Sequence, residues 1–513
     1  MTSTSPEPMG IAIRRSRAGH ACRGRGDRGG VCPPRPRRWT ALLATAALLG
    51  AALGPLACSS YTTRLRGLRP AVSVGDLDKA AERIEGETRP GELLHHLERG
   101  LLSRLAGDFD SSNADLGAAE TLLEDLYTIS VSRRTLTFLV HDEADAYRGE
   151  VHEANYLHFY RILNFLALGE HPSAVVEARR LGLRLERLRA ENPDAPEVRD
   201  PFLEFLTGAF FETAGEWNDA LIAYRLAAQA WSDAQTAGGA GPPPWLAGDM
   251  RRAARQAGIG PGEVPELLLL GGRDGPIESS GPEGREGDLL VLFESGWTPS
   301  KMSEHIRVPI VAGDLDWQGE EGAADAGWVL QERYRGHRGE GDWNAGRTEI
   351  RYFLDAAIPV LASPPETHAA TCRITLRPVS VAGPSLGPFE VVPVADLALR
   401  ARLDFDLHEP AILARTFARA LIKYLAKRQV EKEAGTWAGV LANIAGVATE
   451  KADTRSWLLL PGRISAARIR APAGSYSLEL AVIDGEGRLL DETNVGVEVQ
   501  ERGIAFVSWR SFE

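Results

Sequence analysis

The period of the apolar residues changes once along this 513-residue chain, and that change most limits what it can fold into. From Gly91 to Trp231 apolar side chains recur three and four apart, the spacing of one helix face. After Gly287 the spacing becomes two, in "DLLVLFESG", "EHIRVPIVAG", "TEIRYFLDA", "TCRITLRPV" and "FEVVPV", which read as strands. Helices followed by strands predict a multi-domain α+β protein, and the length agrees with more than one core. Residues 232–287 between them are rich in Gly and Pro, with one helix near Trp245 to Ala257, and read as a linker and domain boundary. Residues 288–513 then form a β-rich, sandwich-like domain whose tail strands are separated by the turns "APAGSY" and "DGEG". Within it the polar stretch from Asp314 to Gly346 reads as a long loop. Residues 409–433 break the alternation as one long amphipathic helix, with Leu413, Phe417, Ala420, Leu421 and Tyr424 on one stripe. Arg415, Arg419, Lys423 and Lys427 form a second stripe, expected to be the solvated face of a packed helix.

The front of the chain is a different material. Behind "RPRRW", the run from Thr40 to Gly54 holds about 15 uncharged residues, short of the roughly 20 a membrane span needs. That is the length of a signal-peptide core, with Arg35, Arg37 and Arg38 as its positive flank. Pro55 breaks the helix and the small Ala57 precedes Cys58. The arrangement resembles the bacterial lipobox, in which the cysteine thiol carries diacylglycerol and becomes the new N-terminus. Pro55 stands where Leu is commonest in that motif, and Leu56 where a smaller residue is usual. Ser59 favours the outer membrane over inner-membrane retention. The expectation is a cleaved leader over residues 1–57, then a lipidated N-terminus and tether over 58–90, of which Tyr61 to Gly86 is a short tether or a first helix, held at the outer membrane and facing the periplasm. The several chains of a lipoprotein anchor stably where one acyl chain would not.

Internal similarity marks residues 91–231. In "PFLEFLTGAFFETAGEWNDALIAYRLAAQAW", Gly208 falls where two helices must approach and Phe211 where a ring fills the groove. Gly215 and Trp217 supply the turn, and Ala220, Tyr224 and Ala227 a small–large–small face. This pattern resembles the tetratricopeptide repeat. A second copy aligns Gly100, Gly107, Phe109, Ser112, Leu116 and Ala119, and a third keeps Phe165, Gly169 and Ala174. The turn glycines Gly107, Gly169 and Gly215 are 62 and 46 residues apart, so the array is irregular, with extra segments between about three hairpins. The order of lipobox, hairpins, "LLVLFESGWTPSKMSEHIRVPI" and "LANIAGVATEKADTRSWLLLPGRI" also resembles an uncharacterised family of bacterial tetratricopeptide-repeat lipoproteins. That resemblance implies architecture and envelope location and brings no catalytic residues with it.

Charge narrows the partners. Nine basic and two acidic residues precede Cys58, leaving 49 and 68 behind it, a net of −19 on the mature chain. A phosphate backbone would repel such a body, so nucleic acid is not an expected partner. With Cys22 and Cys32 in the leader and Cys58 acylated, Cys372 is the one thiol left, too few for a disulfide or a cysteine zinc set. "HEANY" at His152 starts like a zincin helix but has Tyr156 where the second histidine must stand. "GRGDRG" at Gly24 spells a dinucleotide fingerprint with no strand before it, and "DGEG" at Asp484 reads as a hairpin turn.

No cofactor or metal is expected, and the favoured reading is a non-enzymatic, lipid-anchored scaffold. Its candidate partner-binding groove is the first-helix face of the array, with Arg104 from the first hairpin and Tyr156 and Phe159 from the second. Phe202, Phe205 and Glu212 come from the third. A candidate C-terminal surface is Asp453, Thr454 and Arg455. The alternative is a small-ligand binder or enzyme with a pocket in the C-terminal domain and carboxylates such as Glu294 or Asp453.

Overall fold

In the computed structural model, residues 60–89, 91–130, 147–193, 199–236, 239–265, 286–311, 350–362, 371–380, 383–434 and 452–512 are described. Cys58, and with it the expected site of lipidation, lies outside them, as does the stretch read as a long loop. Three short helices come first: α1 (Tyr61–Arg64), α2 (Leu68–Ser73) and α3 (Leu77–Glu87). Three helical hairpins follow. They pair α4 (Leu93–Leu105) with α5 (Phe109–Ser130), α6 (Val151–Ala167) with α7 (His171–Glu191), and α8 (Pro201–Thr213) with α9 (Trp217–Thr236). The hairpins turn in the same way because each first helix ends on a glycine. Gly107, Gly169 and Gly215 have φ of 80°, 75° and 74°, a left-handed conformation that side chains resist. The next amide reaches back five residues each time: Asp108 to Ser103, Glu170 to Phe165 and Glu216 to Phe211, at 2.8–2.9 Å.

The strands after the array form three sheets. Strands β1 (Glu286–Ser295), β6 (Val392–Asp396), β7 (Arg463–Pro472) and β10 (Ile504–Ser511) make one, in the order β10-β1-β7-β6. Strands β4 (Thr371–Pro378), β5 (Leu386–Glu390), β8 (Gly474–Ile483) and β9 (Leu489–Val499) make a second, in the order β5-β4-β8-β9. The pair β2 (Ser300–Val311) and β3 (Ile350–Ala362) is the third, packed on helix α11 (Leu397–Ala434). Strand β1 explains the layering. Its unbroken "LLVLF" is the signature of a strand buried on both faces. Leu289, Val291 and Phe293 point to the second sheet, onto Ile374, Leu376, Leu478 and Leu480. Leu290 and Leu292 point the other way, into the core shared with the helices.

Several sequence-based boundaries give way to this packing. Between the two readings of residues 61–86, a tether or a first helix, the helical one holds, as three short helices, with Tyr61, Leu65, Leu68, Ala80 and Ile84 buried in the helical core. The linker over 232–287 is also partly core. Helix α9 runs on to Thr236, and a further helix, α10 (Leu246–Gln256), buries Leu246, Met250 and Ala253, with Trp245 and Val264 beside it. Glycine and proline punctuate the segment, but one face of its helix is apolar and finds cover. Consequently Cys58–Glu513 forms one compact unit, not an array and a sandwich joined by a string. The helix expected over 409–433 starts at Leu397, because Asp396 caps it by accepting from the Leu399 amide at 2.8 Å. Pro410, which reads as a helix start, lies inside it. Leu413, Phe417, Ala420 and Leu421 are buried against Ala356 and Ile358 of β3. Arg415 is exposed as expected, whereas Arg419 is buried. Among the described residues no helix is long and apolar enough to cross a membrane.

Close approach within the hairpins gives a direct test. A Cβ on Gly208 would lie 2.7 Å from Tyr224 Cδ1 and 3.2 Å from the Ala220 carbonyl, whereas one on Gly117 would meet nothing within 4 Å. Gly208→Ala is expected to cost about 1–3 kcal/mol by overpacking. Gly117→Ala should stabilise by about 0.5–1 kcal/mol through helix propensity. Urea unfolding of both variants measures the contrast.

Candidate functional site

The first helices of the hairpins carry the expected groove, and the chain itself fills it. Tyr156, Phe159, Phe202 and Phe205 are fully buried. Phe159 stands edge-on to Tyr156 and to Phe202, with ring centres 5.5 and 5.7 Å apart. Phe205 lies 5.6 Å from Tyr224 and 6.0 Å from Trp231, so these rings are inter-helix core. Arg104 donates to Asn164 Oδ1 at 2.7 Å and to Ser508 Oγ of β10 at 3.0 Å. Glu212 accepts from Tyr224 (2.6 Å) and Arg252 (2.6 Å) and pairs with Arg468 of β7. Arg468 is itself buried and pairs with Asp249 at 2.6 Å and Asp288 at 2.8 Å. That network ties α8 and α10 to the first sheet. The expectation of an open partner groove is corrected: the four rings pack helix on helix, and Arg104 and Glu212 tie the array to strands β10 and β7.

The segment that runs over the first helices is 452–460. It lies outside helix and strand, so its amides must find partners elsewhere. Two buried carboxylates provide them. Glu98 of α4 accepts from the Leu458 amide at 2.6 Å and the Leu459 amide at 3.2 Å. Glu153 of α6 accepts from the Trp457 amide at 2.6 Å, from the Tyr147 hydroxyl at 2.6 Å and from the Glu150 amide at 3.0 Å. Carbonyls are met in turn: Arg69 donates to Leu458 O at 2.7 Å, and Thr62 to Thr454 O at 3.1 Å. Burial raises the pKa of Glu98 to about 8, against the opposing pull of the Leu458 amide and Arg69. Burial also raises that of Glu153.

The candidate surface of Asp453, Thr454 and Arg455 belongs to this segment and is not an open face. Thr454 is fully buried. Asp453 takes the Arg455 guanidinium at 2.7 and 2.8 Å, and that guanidinium lies 5.3 Å from the Tyr147 ring. The pair is a local clip where the segment enters the array.

A pocket opens beside the same segment. It takes in about 310 Å³, its open side included, and is lined by Glu150, His152, Glu153, Lys301, Phe405 and Trp457 among others. His152 sits in the first turn of α6 and bonds Asp404 of α11 twice, through its amide at 3.0 Å and through Nδ1 at 2.6 Å. Burial disfavours the His152 cation, but the Asp404 hydrogen bond and charge outweigh it and the pKa is raised. Lys301 of β2 pairs with Glu150; the Glu150 charge raises its pKa against burial. Neither Glu294 nor Asp453 lines this pocket; Glu294 accepts from the Tyr160 hydroxyl at 2.8 Å. His158 is held by Glu177 at 2.6 Å, and Glu120, His158 and Glu177 converge closely enough to hold a cation. Arg161 already supplies that charge, pairing with both Glu120 and Glu177. Cys372 is buried in β4, where burial pushes its thiol up to about 12. Asp484 closes the β8–β9 turn, accepting from the Glu486 and Arg488 amides at 2.9 Å.

Glu98 carries a signal within its own helix. It interrupts the apolar face Leu94, Leu97, Leu101 of α4, where a carboxylate has no business unless a donor meets it. His152 and Asp404 are 252 residues apart, so no spacing could join them. Compared with known proteins, the chain matches no protein-family model and no curated protein.

The raised Glu98 pKa fixes a pH dependence. An unfolded glutamate titrates near 4.5 and the folded one near 8, so between them the native state keeps a proton that the unfolded state has released. The Glu98 contribution to stability is therefore complete below pH 4.5 and lost as pH rises to about 8. Denaturation midpoints of wild type and Glu98→Gln across pH 4–9 should converge in slope only outside that window, with the variant flatter inside it.

Proposed function

We propose that the protein is a non-enzymatic scaffold of the bacterial cell envelope, held to the outer membrane by lipid on Cys58. In this reading its hairpins form a tetratricopeptide-like array and contact another envelope protein. The observation that carries it is the grip of Glu98 and Glu153 on the amides of residues 457–459. An array that holds the main-chain amides of an irregular segment by buried carboxyl groups has the chemistry of a peptide-binding repeat, here applied to its own chain. The three glycine turns and the helix contacts at Gly100 and Gly208 support the same reading.

With the first-helix face occupied, the second helices are the array surface left for a partner. Val176 and Leu183 stand exposed two turns apart on α7, and Ile222 is exposed on α9. A photocrosslinking residue at Leu183 in the natural envelope is expected to give one discrete protein adduct that Val176→Glu abolishes. Mass spectrometry of the same material should find residues 1–57 removed and Cys58 acylated. A diffuse smear of adducts, or an unacylated chain beginning before Thr40, would defeat the reading.

A further inference from the structure

The outer strand of a sheet presents unpaired N–H and C=O groups that can template another chain, and natural proteins blunt such edges with charge, proline, bulges or brevity. Among the described outer strands all but one are blunted. Strands β5 and β6 are five residues long and carry Pro388 and Pro393, with register breaks against their neighbours. Strand β9 exposes Asp491, Glu492 and Glu498. In the two-stranded sheet β2 exposes Glu304 and β3 contains Pro359. The exception is β10, "IAFVSWRS", which pairs with β1 along its whole length without a break. It holds no proline and no acid, and its one charge, Arg510, is laid against the rings of Trp297 and Phe512. In a parallel pair every second residue turns its backbone groups to the neighbour. The Gly503 carbonyl meets the Asp288 amide at 2.9 Å, so Ala505, Val507 and Trp509 follow it toward β1 and the backbones of Phe506 and Ser508 face outward. Apolar side chains flank that open backbone on both sides. Phe506 stacks on Phe210 at 4.7 Å on the helical side, while Val507 and Trp509 join Val495 and Val497 of β9 on the other. Apart from the buried Phe210 these residues are half-buried, with surface left to cover.

We propose that β10 takes up one added strand from a partner protein: an extended segment that is apolar in its middle and basic at its ends. The outward donors and acceptors of β10 fix an extended main chain, and its apolar flanks suit a middle without charge. The basic ends follow from charge complementarity. Asp491, Glu492 and Glu498 of β9 and Glu501 in the turn before β10 are all exposed carboxylates beside this edge. The same carboxylates disfavour a second copy of the chain, because edge-to-edge pairing would bring like charges together. This surface lies on the β layers, away from α7 and α9, and does not depend on the lipid anchor or on the array as a scaffold.

Hydrogen exchange read by mass spectrometry on the full chain tests the proposal. The probe is the peptide acetyl-KKVTVTVKK-amide, with the acidic EEVTVTVEE and the proline-broken KKVPVPVKK as controls. The basic peptide should bind saturably and slow exchange in β10 by about tenfold, with no change at the blunted β5 edge. Each control should bind at least about tenfold more weakly, the first for want of charge complementarity and the second for want of backbone donors. Val507→Lys, which places a guarding charge on the edge, should weaken the basic peptide by about tenfold. If that variant loses thermal stability, the exchange footprint on the wild-type chain decides alone. No saturable binding of the basic peptide, equal binding of either control, or protection that misses β10 overturns the proposal. So does sedimentation showing a dimer in which β10 is already protected, which would assign the edge to a second copy.

Discussion

Two carboxyl groups buried in the helical layer, those of Glu98 and Glu153, determine how the rest of the molecule is put together. Each sits on the inward face of a first helix and accepts main-chain N–H groups from a segment more than 300 residues away. A carboxylate in such surroundings is costly unless donors meet it, and amides of an irregular segment are equally costly unless acceptors meet them. Each group resolves the other's deficit. That reciprocity selects one register of segment on array, where apolar contact alone would tolerate sliding. Trp457, edge-on to Tyr160 at 5.9 Å, and the buried Leu458, Leu459 and Leu460 then fill the space between the helices and the first sheet.

Strand β1 extends the same logic outward. Because both of its faces are covered, it carries the helical core on one side and the sandwich core on the other. Polar ties follow the same boundary. Arg468 of β7 joins Asp249, Asp288 and Glu212, and Burial of these charges is offset by their mutual pairing. Arg510 of β10 is held differently, against the stacked rings of Trp297 and Phe512 at 4.7 and 5.0 Å from their centres.

Much of this was legible in the sequence, and the physical reason is local. Periods of 3.6 and 2 report which face of one element is apolar, and they located the hairpins, the turn glycines and the strands to within a few residues. They do not report what covers an apolar face. Hence Tyr156, Phe159, Phe202 and Phe205 read as a groove when they are packed core, and Trp245 and Met250 fell within a stretch read as linker. The polar site was less visible still. His152 and Asp404, or Glu98 and Leu458, meet only because the fold joins chain segments hundreds of residues apart. The one hint within a single helix was the charge of Glu98 on an apolar stripe.

Thr62 donates to the carbonyls of Lys301 and Thr454, and Tyr61 is buried, so the molecule is already stitched down at its front edge. Only a few peptide units separate Cys58 from those stitches, roughly 3.5 Å of reach apiece. An acyl anchor on that cysteine would act less as a leash than as a hinge pin. On the proposed lipid anchor, the body would stand close against the bilayer in a narrow range of attitudes.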